Sequence, residues 1–255
     1  MKPSNLIIVF ALVVSLALLP LYGCSHEGDL KPAAQNVSGS FVLRSERIVS
    51  HERPADIDAT YPVIEGKEAF NNKSKAVVDD ELSTFRAECL DTEKAKKQAS
   101  PEQNPETSCE LLISYRTGMI SEKQASIVFN IYRFTGGAHG MTILKSLNMD
   151  LSTGSEMKLG DLFPSNPIYL ANVSERSILD LTRQIKERTE DVNGTHIDND
   201  WIRQGAGANE TNFKNFIFDR KDLTIFFEQY QVAPGYIGQL EVTMPMPRAV
   251  QPLEG

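Results

Sequence analysis

A continuous apolar run from Leu6 to Leu19 follows the single charge of Lys2 and leads into Leu21-Tyr22-Gly23-Cys24. This feature decides where the chain must fold. A charged start, an apolar middle and a small residue at the cut form an export signal, a segment that is removed and not packed into a core. The run is also too short for a comfortable membrane span. Residues 1–23 are therefore expected to be a signal peptide, and the fold is built outside the cytoplasm, where disulfides persist. Removal of the signal leaves 232 of the 255 residues, enough for one large domain or two small ones.

A cysteine placed directly after the cut resembles the lipobox of bacterial lipoproteins. The resemblance implies cleavage before Cys24, acylation of its thiol and acylation of the new amino terminus. Two or more acyl chains anchor stably where one would not. By the same family rule, Ser25 in place of Asp implies transit to the outer membrane, facing the periplasm, in a host that has one. The competing reading is an ordinary secreted protein with an unrelated cysteine. With Cys24 set aside, Cys89 and Cys109 are an even pair in an oxidising compartment. A bridge between them closes a loop of about 20 residues, worth about 3 kcal/mol in the chain-entropy model. There is no CxxC spacing, and no matching histidine pair for zinc. A structural disulfide is expected, with no metal and no cofactor.

Hydrophobic residues at 41% and charged residues at 24% are those of an ordinary globular protein, and no second long apolar run follows. The mature chain carries 25 Lys and Arg against 34 Asp and Glu, a net −9. Nucleic acid is excluded as a partner, because its phosphates demand a basic surface. A cationic partner would instead be steered towards the protein, less strongly as salt rises.

Residues 24–40 are polar, without a sustained period, and read as a flexible tether. Alternation from Phe41 to about Ser50 predicts a first strand, and Tyr61-Pro62-Val63-Ile64 a short second one. Phe70, Ser74, Val78, Leu82, Phe85 and Cys89 step by three or four, the stripe of a helix that carries Cys89 to the core. Residues 91–107, charged and broken by Pro101 and Pro105, read as an exposed loop. Strands follow at 109–117, 124–134 and 141–150, then a helix over 167–189 and strands at 213–218, 222–228 and 238–244. Strands grouped around two helices, without regular alternation, predict an α+β fold, mainly antiparallel, in two closely packed subdomains. Their expected bounds are 41–123 and 124–247, with a loose tail at 248–255.

The most distinctive interior segment is Tyr132-Arg133-Phe134-Thr135-Gly136-Gly137-Ala138-His139-Gly140, with three glycines in five residues between two strands. It is followed by Asn148-Met149-Asp150-Leu151, Thr153-Gly154 and Leu159-Gly160-Asp161-Leu162-Phe163. Later come Phe226-Phe227-Glu228-Gln229-Tyr230-Gln231-Val232-Ala233-Pro234 and Leu240-Glu241-Val242. This succession resembles a paired extracytoplasmic domain of unknown function. It occurs in the lysozyme-sensing anti-sigma factor and in the non-catalytic region of a peptidoglycan deacetylase. The resemblance covers essentially 41–245 and implies a lysozyme-binding or peptidoglycan-associated role. The chain departs from the sensor in having a lipid anchor in place of a transmembrane helix and no cytoplasmic segment for a sigma factor. It departs from the deacetylase in lacking the Asp/His metal motifs of that enzyme's catalytic domain.

His139 is the one candidate for acid–base chemistry. No Gly-x-Ser-x-Gly elbow or His-Glu-x-x-His pair supports it, and a hairpin histidine bonded to backbone is the better reading. Asp191, Asn193, Asp198, Asn199 and Asp200 fail the calcium-loop register, since His196 stands where glycine is needed. They read as a solvated loop with a helix cap before Trp201. Tyr132, Gly136, Gly137, His139, Gly140, Tyr230 and Tyr236 are the candidate binding residues, and no catalytic residue is expected. The leading expectation is a non-enzymatic envelope lipoprotein that binds a ligand at or near peptidoglycan, such as lysozyme. A hydrolase centred on His139 and a purely structural envelope protein are the alternatives.

Overall fold

The computed structural model describes residues 42–99, 108–189 and 199–246. The signal, Cys24, the tether and the tail lie outside the described residues. So do Asp191, Asn193 and Asp198. The fold is α+β, as expected. Strands β1 (Leu43–Ser50) and β2 (Ala55–Ile64) form a hairpin, helix α1 (Glu68–Ala99) crosses over, and β3 (Cys109–Ile120), β4 (Gln124–Phe134) and β5 (Met141–Asp150) form an antiparallel meander ending in β6 (Ser155–Glu156). Strand order is β1 to β6 in sequence. The β2–β3 pairing, Ala55 opposite Cys109 to Ala59 opposite Ile113, is parallel. Parallel neighbours need a long crossover, which α1 supplies.

Further on, α2 (Tyr169–Thr189) and α3 (Asn199–Gly205) precede a three-stranded antiparallel sheet of β7 (Phe216–Phe218), β8 (Asp222–Phe227) and β9 (Leu240–Pro245). Asn199 and Asp200 open α3. The second strand is longer than its four-residue apolar core implies, because Ile57 and Ala59 continue the alternation inward beside β3.

The stripe on α1 is buried along its whole length, from Phe70 to Cys89, against Ile57, Leu111, Ile127, Phe129 and Ile131 of the large sheet. One correction concerns its end. The helix runs to Ala99, through the first half of the segment expected to be a loop. Residues 90–99 contain no Gly or Pro, and Glu, Lys and Ala are good helix formers. Glu93 and Lys97 pair at i,i+4 (2.8 Å), and Lys96 and Lys97 oppose the negative end of the helix dipole. A charged stretch is thus a solvated helix as far as Ala99.

Alternation along β4 sends Ile127, Phe129 and Ile131 to the α1 side and Val128 to the other side. There Val128 and Leu144 meet Ile217 and Phe226 of the small sheet. The opposite face of the small sheet packs on Val173, Leu181 and Ile185 of α2. The boundary expected at 123/124 therefore needs correction. It falls in the β3–β4 turn, inside one hydrogen-bonded sheet, while the two apolar cores divide near residue 150. Periodicity identifies strands but not which of them pair.

The two sheets are joined by buried polar groups as well as by apolar contact. Ser126 Oγ lies 2.6 Å from Asn148 Oδ1, Asn148 Nδ2 donates to the Phe216 carbonyl (2.9 Å), and the Phe218 N–H donates to Ser126 Oγ (2.9 Å). On the α1 side, the buried Glu81 carboxylate is held by Lys145 Nζ at 2.7 Å and faces Arg133 Nη1 at 3.6 Å. Paired in this way, the charge is tolerated inside.

Candidate functional site

Cys89 and Cys109 are bridged, tying the buried face of α1 to the first residue of β3. The remaining candidates fall in two turns, and in both a tyrosine ring lies on a glycine. In the β4–β5 loop Gly136 adopts φ +86°, which a β-carbon disfavours. Gly140 is needed for space, since a Cβ there would sit 2.3 Å from Cζ of the half-buried Tyr132. Gly137 faces open space. His139 Nδ1 lies 3.0 Å from the Gly140 carbonyl, the backbone partner expected, and the ring stands exposed on the surface. Among the described residues no carboxylate, hydroxyl or thiol pairs with it, and no three of His, Cys, Asp or Glu converge as metal ligands.

The second turn links β8 to β9. Tyr230 adopts φ +68°, a left-handed conformation that costs a residue with a β-carbon about 1–2 kcal/mol. Several hydrogen bonds hold it there. Trp201 Nε1 donates to the Tyr230 carbonyl (3.0 Å), and Gln231 Nε2 donates to the carbonyls of Gly205 and Asn212 (2.9 Å each). Gln231 Oε1 accepts from the Glu228 N–H (3.0 Å), and Gln229 Nε2 donates to the Gly235 carbonyl (2.8 Å). The Tyr230 ring rests on Gly235, where a Cβ would lie 2.2 Å from Cζ. Tyr230 is 46% exposed and Tyr236 68% exposed. The result is a pair of solvent-facing aromatic side chains on a clamped backbone.

No hydrogen bond or ring contact joins the two turns among the described residues. Sequence reasoning missed the clamp, although Gln229 and Gln231 flanking Tyr230 were its signal. It also missed a cleft of about 460 Å³ along β5, lined by Lys73, Val77, Lys145, Ser146, Lys214 and Asn215 among others. An edge strand and a central strand alternate alike, so no pattern announces such a cleft.

Residues 48–142, which contain β2, α1, β3 and β4, match a family model described as Deacetylase PdaC. Residues 160–246, with α2, α3 and the small sheet, match the family of proteins of unknown function DUF3298. The chain thus matches two different family models, one before and one after residue 150. The peptidoglycan-N-acetylmuramic acid deacetylase PdaC of Bacillus subtilis is 25% identical over 197 residues, 77% of this chain. The chain spans 38% of the length of that relative. A solved member of the DUF3298 family from Bacteroides fragilis shares the fold, with a TM-score of 0.53 at 19% identity, over 81% of this chain and 91% of its own. A DUF3298 family protein from Pseudomonas aeruginosa gives 0.48 at 16% identity, over 81% and 92%.

Proposed function

We propose that the chain is a non-enzymatic binding module of the cell envelope, lipid-anchored at Cys24, that recognises a partner at or near peptidoglycan. In its sharpest form the partner is a lysozyme-type muramidase. The observation that carries this reading is the turn with Tyr230 and Tyr236. It bears two exposed aromatic rings, and its backbone is held in a costly conformation by the Trp201 side chain and by the turn's own Gln231, which reaches the carbonyls of Gly205 and Asn212. Strain maintained in this way is a recurrent mark of recognition sites, and tyrosine is favoured where binding energy concentrates. Kinship with a peptidoglycan deacetylase and the Cys89–Cys109 disulfide support a setting outside the cytoplasm. The acidic balance of the mature chain suits a cationic partner.

Purified residues 25–255 are expected to capture and inhibit one or more lysozymes at low salt, with binding that weakens as salt rises. The double variant Tyr230→Ala/Tyr236→Ala should bind at least about tenfold less tightly, or about 1.4 kcal/mol, as measured by calorimetry. Absence of binding to every lysozyme tried at low salt removes the muramidase version. Undiminished binding by the double variant moves the contact away from this turn.

A further inference from the structure

The cleft along β5 has features that the binding turn does not use. Antiparallel pairing to β4 occupies one side of β5, while β6 covers only Met149 and Asp150 on the other. Two contacts show which backbone groups face that open side. The Leu144 N–H donates to Glu228 Oε1 (3.1 Å), and the Asn148 carbonyl accepts from the Met157 N–H (2.8 Å). Strand alternation then points the Ser146 N–H and carbonyl outward between them, without a partner among the described residues. Beside them, Ser146 Oγ and Asn215 Nδ2 are buried with no hydrogen bond, and both residues line the cleft. Asn215 is only 3% exposed. Buried polar groups are nearly always paired, so two orphans in one cleft mark a place for a ligand atom.

The chain itself indicates which atom. At Leu144 the open edge is occupied by a carboxylate, that of Glu228, which also meets Lys214 Nζ at 3.3 Å. One pleat further on, Ser146 Oγ and Asn215 Nδ2 offer donors; Lys73 and Lys145 line the same cleft, each already holding a carboxylate of the chain, Glu156 and Glu81. Asp80 and Glu156 also line the cleft, and Glu156 is neutralised by contact with Lys73. We propose that the open edge of β5 is a docking strip for an extended, carboxylate-bearing peptide segment of a partner protein, whose backbone pairs with β5 at Ser146 and whose carboxylate is received by Ser146 Oγ and Asn215 Nδ2. Peptides commonly add to sheet edges in this manner, main-chain bonds holding them and side-chain pockets selecting them.

The test uses the mature chain, with its disulfide intact, and two capped octapeptides that alternate valine with glutamate and threonine, or with lysine and threonine. The glutamate peptide should bind and slow exchange of the Ser146 amide proton, and the lysine peptide should bind at least tenfold less tightly. Asn215→Asp, which replaces a donor by a like charge, should weaken the glutamate peptide tenfold or more. Ser146→Ala should weaken it severalfold while melting no lower than the parent, because the lost hydroxyl has no partner. Equal binding of both peptides, no binding at millimolar peptide, or binding without protection at Ser146 overturns the proposal. Protection at Ser146 that grows with protein concentration alone, without peptide, overturns it in favour of a second copy. No muramidase enters this experiment, so its failure leaves the reading of the Tyr230 turn standing, and the reverse also holds.

Discussion

Tyr61 shows how one position can carry both packing and a pH response. Its ring is buried on β2, and its hydroxyl donates to the Glu46 carboxylate on β1. Burial, reinforced by that carboxylate, pushes the phenol up to about 12. Because the folded value lies above the unfolded one, the contribution is complete below about pH 10 and is lost as pH rises through the folded value. Denaturant titrations from pH 9 to 12 should show a decline that Tyr61→Phe lacks. A parallel decline in the variant would assign the alkaline limit to other groups. At the same scale, the histidine that drew attention in the sequence proves to be a surface residue bonded to a neighbouring carbonyl. Its hairpin is shaped instead by Gly136 and by the Tyr132 ring on Gly140.

Among the elements, α1 gains its stability from two different sources. Its first two-thirds is held by the buried stripe ending at Cys89, and its last third by helix-forming residues and the ion pairs Asp91–Lys94 (i,i+3) and Glu93–Lys97 (i,i+4). The disulfide lies where these parts meet and fixes the start of β3 against the helix. Replacing both cysteines by alanine should lower stability by about 3 kcal/mol in the chain-entropy model, checked by denaturant unfolding against the oxidised parent. A loss below about 1 kcal/mol would mean that the crossover is already restrained in the unfolded chain. The strands at 124–134 and 141–150 were legible to the residue because alternation and the glycine cluster mark both ends. The last third of α1 was not legible, since charge density and two nearby prolines resemble a loop until the helix propensity of each residue is counted.

At the scale of the whole molecule, the large and small sheets share an interface that contains a closed polar circuit. Ser126 and Asn148 come from the large sheet, and the backbone of Phe216 and Phe218 from the small one. Asn148→Leu removes the central member and leaves the Phe216 carbonyl buried without its donor. It should cost about 1–3 kcal/mol, and amide exchange should report earlier opening of the small sheet than of the meander. Uniform loss of protection across both sheets would show that they unfold as one unit regardless of the circuit. Local order along the chain by itself determined the buried stripe of α1, the meander strands, the cysteine pair and the α+β class. These depend on periodicity and residue type within short windows. Only the tertiary structure decided that β3 lies parallel to β2, that the cores divide near residue 150 and not at 123, and that one edge of β5 stays open. Each of those turns on which distant strands share hydrogen bonds, and a strand's pattern of side chains is the same whichever neighbour its backbone meets.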